Sequence, residues 1–151
     1  MRTVLLIFFL CTSTIGFSQN KGALSLELGG VGGFGSISYS RQFKSWDKLG
    51  LEYRVGLSFV PIDKNNGNGI IIPALVHATY GQGKHFADIG LGQALTITTR
   101  GSAFIRMPTS FGYRFQTDGH LFYRFAYTPI ISYIYNFQWE HWGGVTIGYN
   151  F

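Results

Sequence analysis

Residues 49–60 read Leu-Gly-Leu-Glu-Tyr-Arg-Val-Gly-Leu-Ser-Phe-Val. One face of this run carries Leu49, Leu51, Tyr53, Val55, Leu57 and Phe59; the other carries Gly50, Glu52, Arg54, Gly56, Ser58 and Val60. Alternation sustained this long has the period of a strand and not of a helix. Residues 120–133 repeat it, with Leu121, Tyr123, Phe125, Tyr127, Ile131 and Tyr133 against His120, Arg124, Ala126, Thr128 and Ser132. Working outward from these two runs, turn chemistry divides the rest of the chain. Strands are expected near 23–32, 34–43, 49–60, 70–81, 86–98, 103–115, 120–133 and 142–151. No segment has helix length and periodicity, and no linker interrupts the series.

Which face looks outward decides the class. A soluble barrel turns its bulky face inward and presents a densely charged face to water, roughly 25–35% of the surface. Here the face opposite the bulky residues is mostly Gly, Ser, Thr and Ala, and only 13% of all residues are charged. A membrane barrel inverts the arrangement, with apolar side chains toward lipid and small or polar ones toward a lumen. Strand-borne charges agree. Glu27, Glu52, Arg54, Asp88, Arg106, Arg114 and Arg124 all fall on the small-residue face. Arg41 is the exception; it stands beside a turn, where its stem can snorkel toward headgroups. The expected fold is therefore all-β, an eight-stranded antiparallel up-and-down transmembrane barrel. The rival is a soluble, lipocalin-like exported barrel, which would turn Leu51, Tyr53, Val55 and Leu57 inward around a hydrophobic ligand.

The start of the chain reads as an address. Met1-Arg2 gives a positive end, Val4–Leu10 an apolar run, and Gly16-Phe17-Ser18 a small-residue cleavage site before Gln19, the layout of a secretory signal peptide. Residues 1–18 are assigned to that signal and 19–151 to a single barrel domain. Leu10 is too bulky to precede a lipidated Cys11, which is also the chain's one cysteine. The mature chain thus has no disulfide, thiolate metal site or cysteine nucleophile. The formal charge of +5 is spread along the chain, and exported proteins seldom meet nucleic acid, so no nucleic-acid partner is expected.

Parity sets the orientation. Eight strands put both termini on one side, the periplasm in bacterial barrels, together with turns 44–48, 82–85 and 116–119. Phe43, Trp46, Tyr80, Phe86, Phe115 and Phe151 gather there as one aromatic girdle; Phe59, Phe104, Tyr133, Tyr135, Phe137, Trp139 and Trp142 form the other. Pro61, Pro73, Pro108 and Pro129 map toward the outer strand ends, where a missing ladder donor is tolerated.

The last residues, Trp142-Gly-Gly-Val-Thr-Ile-Gly-Tyr-Asn-Phe151, resemble the terminal insertion signal of outer-membrane barrels. Val145, Ile147, Tyr149 and Phe151 supply its alternate apolar positions, and Thr146 stands where glycine is often found. Gly112–Gln116, Tyr123–Ile130, Gly83–Gly92 and the Phe17-Ser18-Gln19 junction resemble small outer-membrane barrel proteins of the Bacteroidota. The resemblance implies a Gram-negative outer-membrane location, contact with lipid and lipopolysaccharide, and passage through the barrel-assembly machinery. It implies no catalytic residues.

An eight-stranded lumen is just wide enough for side chains to fill it, whereas a freely conducting porin needs about 16–18 strands. The seven lumen charges are expected to pair as a plug, because a buried charge left alone is costly. Glu52 and Arg54 are two apart on one face and can meet; the other pairs depend on register. Arginines outnumber carboxylates by one in this set. The alternative is a narrow channel or small-ligand carrier.

Catalytic signals are thin. His77-Ala78-Thr79 loosely resembles the His-x-Ser pair of the outer-membrane lipid A deacylases, with Thr in place of the serine. This would make the chain a lipid A-modifying hydrolase, but both side chains face the lumen, away from lipid. His85, His120 and His141 lie in or beside different connections without metal-ligand spacing. Gly29–Gly35 has the letters of a dinucleotide loop but lacks the helix that such a loop needs. The expectation is a monomeric, non-enzymatic protein with no cofactor and no metal. Asn65, Asn66 and Asn68, in the loop 61–69, are the best candidates for surface contact.

Overall fold

The computed structural model describes residues 22–132 and 138–151; the expected signal segment lies outside them. The strands are β1 (Gly22–Gly29), β2 (Gly35–Ser45), β3 (Leu49–Asp63), β4 (Gly67–Gln82), β5 (His85–Thr98), β6 (Ala103–Gln116), β7 (Leu121–Tyr127), β8 (Ile130–Ser132), β9 (Gln138–Glu140) and β10 (Gly143–Asn150). Consecutive strands from β1 to β7 pair antiparallel; β10 pairs with β7 on one side and β1 on the other. Eight staves therefore close on themselves. Closure leaves no edge in the ring, which a structure surrounded by lipid requires. The short β8 and β9 extend the wall above β6 and β7.

Side-chain alternation runs as expected. Leu24, Leu26 and Leu28 on β1, Val55, Leu57 and Phe59 on β3, Ile89, Leu91, Leu95 and Ile97 on β5, and Val145, Ile147 and Tyr149 on β10 all point away from the barrel and are exposed. Monomeric water-soluble proteins do not display so continuous an apolar surface. Val55 and Leu57 face outward, so the lipocalin-like arrangement is not the one adopted.

Two expected strands are corrected. The first stops at Gly29, and Gly30–Gly32 form a buried 3₁₀ turn that folds into the barrel. Gly30 has φ 77, and a Cβ there would lie 2.2 Å from Glu27 Oε1, so only glycine permits this turn to close over the carboxylate. The run 120–133 breaks after Tyr127. Pro129 has no N–H to extend the ladder; Thr128 N–H instead reaches the Trp142 carbonyl at 2.8 Å, and the Pro129 carbonyl accepts from Thr109 N–H at 3.0 Å. Proline also explains two gaps elsewhere. The β3–β4 ladder skips from Val55↔Ala74 to Ser58↔Ile71 around Pro73, and β5–β6 skips from Leu91↔Thr109 to Ala94↔Arg106 around Pro108.

The two ends differ. At one, Gly22 and Phe151 exchange backbone hydrogen bonds of 3.1 and 2.8 Å, beside the connections β2–β3, β4–β5 and β6–β7. At the other lie the inward turn and the remaining connections, termed here the loop end.

Candidate functional site

The lumen is built from very small and very large side chains. Ser25, Ser36, Ser38, Ser40, Ser58, Ser110 and Thr146 leave room that Arg54, Arg124, His77 and Phe122 fill. Two glycines act as seats. A Cβ on Gly90 would sit 2.5 Å from His77 Cε1, and one on Gly148 would sit 2.2 Å from Phe122 Cζ. Each ring thus occupies the space that a side chain would take at a glycine on the neighbouring strand. In a narrow barrel this pairing of large with small fills the interior without strain.

Arg124, only 1% exposed, stands at the centre. Its Nη2 and Nε donate to Asp88 Oδ1 at 2.5 and 2.9 Å, Nη2 also donates to the Ser110 hydroxyl, and Nη1 lies 3.7 Å from Glu27 Oε1. Asp88 Oδ1 also meets His77 Nδ1 at 3.1 Å. Toward the termini, Glu52 takes Arg54 at 3.6 Å on one oxygen and Arg114 at 3.1 Å on the other. Arg114 continues to Asn150 Oδ1 at 3.1 Å and lies 3.9 Å over the Phe122 ring, while Asn150 donates to Gln116 at 2.9 Å. Charges removed from water need partners of opposite sign; Glu27 and Arg54 meet theirs at ion-pair distance, without a hydrogen bond.

Six of the seven expected lumen charges thus meet one another, three carboxylates against three guanidiniums. Arg106 does not join them. It stands toward the loop end, 3.6 Å from Glu140 on β9. Sequence reading placed Glu140 in a connection and missed it, and with it the partner of the surplus arginine. Ser110 and Asn150 were missed too; alternation put both on the lumen face, but nothing in an uncharged side chain marks it as a network member.

Glu52, His77 and Asp88 bring three potential ligand atoms within 4.8 Å of one another. Arg54, Arg114 and Arg124 already neutralise the carboxylates, and their charge opposes a divalent cation at this separation. The hydrolase geometry also fails to assemble. His77 is oriented by Asp88 as a general base would be, but the Thr79 hydroxyl donates to the Gly50 carbonyl at 3.3 Å. A nucleophile must hydrogen-bond its base.

The other candidates sit at the margins. Val145, Ile147, Tyr149 and Phe151 face outward along β10 and are exposed. Arg100 reaches across from the β5–β6 connection to the carbonyls of Lys64 and Asn65 at 2.8 and 2.9 Å, and the Asn68 carbonyl accepts from Thr99 N–H at 2.8 Å. The asparagine loop, with Asn66 between them, is therefore tied to its neighbour. The three remaining histidines share a pattern that the sequence did not disclose. His85 and His141 hydrogen-bond the hydroxyls of Tyr113 and Tyr127, and His120 stacks on Tyr149 at 5.2 Å. Each sets a polar ring against an outward tyrosine near a barrel rim, where amphipathic rings belong.

No family model matches the chain, and neither does any curated protein. Among solved structures it is similar to the attachment invasion locus protein Ail of Yersinia pestis, at 9% identity over 87% of this chain and 96% of that one, with a TM-score of 0.48. It is also similar to a de novo designed transmembrane β-barrel, at 10% identity over 87% of this chain and 94% of that one, with a TM-score of 0.53. At such low identity the likeness to the designed barrel speaks for the fold alone, and that fold is a closed, eight-stranded, transmembrane-type β-barrel.

Proposed function

We propose that the chain is a small integral outer-membrane barrel protein of a Gram-negative envelope. In this reading its lumen is plugged by its own side chains, and it acts without catalysis, as a structural element or through contacts made at its loop end. One observation carries the proposal: an outward apolar surface encloses six charged side chains that pair across the lumen. The first half suits lipid, and the second suits a lumen filled by its own side chains. The loop end then faces the medium and the termini face the periplasm. Val145, Ile147, Tyr149 and Phe151 present the terminal signal to the assembly machinery, and the outward aromatic rims contact lipid and lipopolysaccharide.

Fractionation of the full-length protein from a Gram-negative host tests the location. Recovery in the outer membrane, with faster gel migration before heating than after, is expected of an inserted barrel. Recovery in the soluble periplasm with no heat-dependent shift would overturn the proposal. Conductance tests the plug separately. Purified barrel in a planar bilayer is expected to give no stable discrete openings, whereas reproducible unitary currents would show that the network leaves a path for ions.

A further inference from the structure

The lumen changes character along its length. From the termini to Glu27 it is lined by serines, glycines and paired charges. Beyond the inward turn, toward the loop end, the lining becomes apolar: Val60, Ile71, Ala94 and Ile130 are buried against one another or against the cavity, with Val31 of the turn among them. These side chains surround an open cavity of about 590 Å³, within the size range of small-molecule sites. A plug of paired charges does not by itself call for this change to an apolar lining.

The polar groups in this lining are few and converge. Thr96 is 1% exposed, and its hydroxyl has no hydrogen-bond partner; the Nε of Arg106 is also buried without one. Ala94 pairs with Arg106, and Thr96 with Phe104, so Thr96 and Arg106 are diagonal neighbours on the same lumen face, within reach of one ligand group. Arg106 Nη1 lies 3.6 Å from the single carboxylate of the lining, Glu140, and Lys64 adds a second cation at the rim. The lining therefore carries a surplus of one positive charge. A monoanion matches that surplus, and a carboxylate matches the planar donor edge of a guanidinium.

We infer that the loop-end half of the lumen is a binding site for a free amphipathic monocarboxylate that enters from the aqueous side. Its apolar body lies against Val60, Ile71, Ala94 and Ile130, and its carboxylate takes hydrogen bonds from Arg106 and Thr96. The site requires the barrel but not the surface-contact role proposed above.

Trp142 lines the same cavity and reports on it. In lipid nanodiscs, a protein carrying Trp46→Phe and Trp139→Phe keeps Trp142 as its single tryptophan. Titration with a bromine-labelled dodecanoate is expected to quench its emission saturably, and unlabelled dodecanoate is expected to reverse the quenching. Arg106→Gln is expected to raise the half-saturating concentration about tenfold, the effect of losing one charge-assisted hydrogen bond. Ala94→Phe, which fills the cavity, is expected to abolish saturable quenching. The heat-dependent gel shift checks that each variant is folded and, because it does not depend on the ligand, separates failure of the site from failure of the barrel. Quenching that rises linearly with concentration would overturn the inference. So would equal quenching by the alkyltrimethylammonium or the alcohol of the same chain length, or an Arg106→Gln variant that binds like the parent.

Discussion

Replacement of Arg124 by Met is expected to lower the unfolding free energy of the barrel by about 3–5 kcal/mol, the range for removing one partner of a buried ion pair. The loss exceeds that of an ordinary core substitution because the residues left behind are charged. Asp88 and Glu27 are 1% and 2% exposed. Asp88 would lose both of its short bonds to the guanidinium. Equilibrium urea titrations in lipid vesicles, followed by tryptophan emission, measure the difference. Adding Asp88→Asn to the variant is expected to recover part of the loss, since residues in one network couple by about 0.5–3 kcal/mol. A single substitution that costs under about 1 kcal/mol would mean that water reaches these groups and that the lumen is not a dry plug.

The second large effect lies on the opposite face of the same strands. Leu26, halfway along β1, is 55% exposed and paired with Ile37 and Ile147, both also outward and exposed. In a bilayer, Leu26→Arg is expected to cost about 2–4 kcal/mol, as arginine does near the midplane of a barrel's lipid face. On a protein surrounded by water, the same change at an exposed site falls within about ±0.5 kcal/mol. The two outcomes do not overlap, so one vesicle-unfolding experiment distinguishes lipid from water outside the barrel. A negligible cost would remove the membrane reading of the apolar surface.

How far the sequence discloses this molecule depends on how local each feature is. The stave from Leu49 onward is legible because alternation, length and turn residues lie within one short segment. The pairing of Glu52 with Arg54 is legible for the same reason, since two positions on one face of one strand are fixed by the pleat. Arg124 and Asp88 belong to β7 and β5, which are not even adjacent, and their meeting depends on the stagger of both against the intervening β6. No single-strand pattern records that stagger. Glu140 escaped because its neighbours lack alternation, so nothing assigned it a face. The inward turn at Gly30 escaped because a glycine-rich run is compatible with strand, hairpin or tight turn until the contact with Glu27 is seen. The break at Thr128–Pro129 was signalled by the proline, but the flanking alternation carried the expected strand straight through it.

The seam between β1 and β10 has a consequence for how the protein is made. Ala23 pairs with Asn150 and Gly29 with Gly144, so the first stave finds one of its two neighbours only in the final residues of the chain. Contacts this distant in sequence are slow to form. Until β10 has been synthesised, β1 has a bare edge whose N–H and C=O groups cannot enter a bilayer unpaired. Synthesis of β10 must therefore precede closure of the ring, and the unfinished chain must be kept from pairing with other strands in the interval. Deletion of residues 148–151 would not merely shorten the wall; it would leave Ala23, Leu24 and Ser25 without their partners and open the ring at that end.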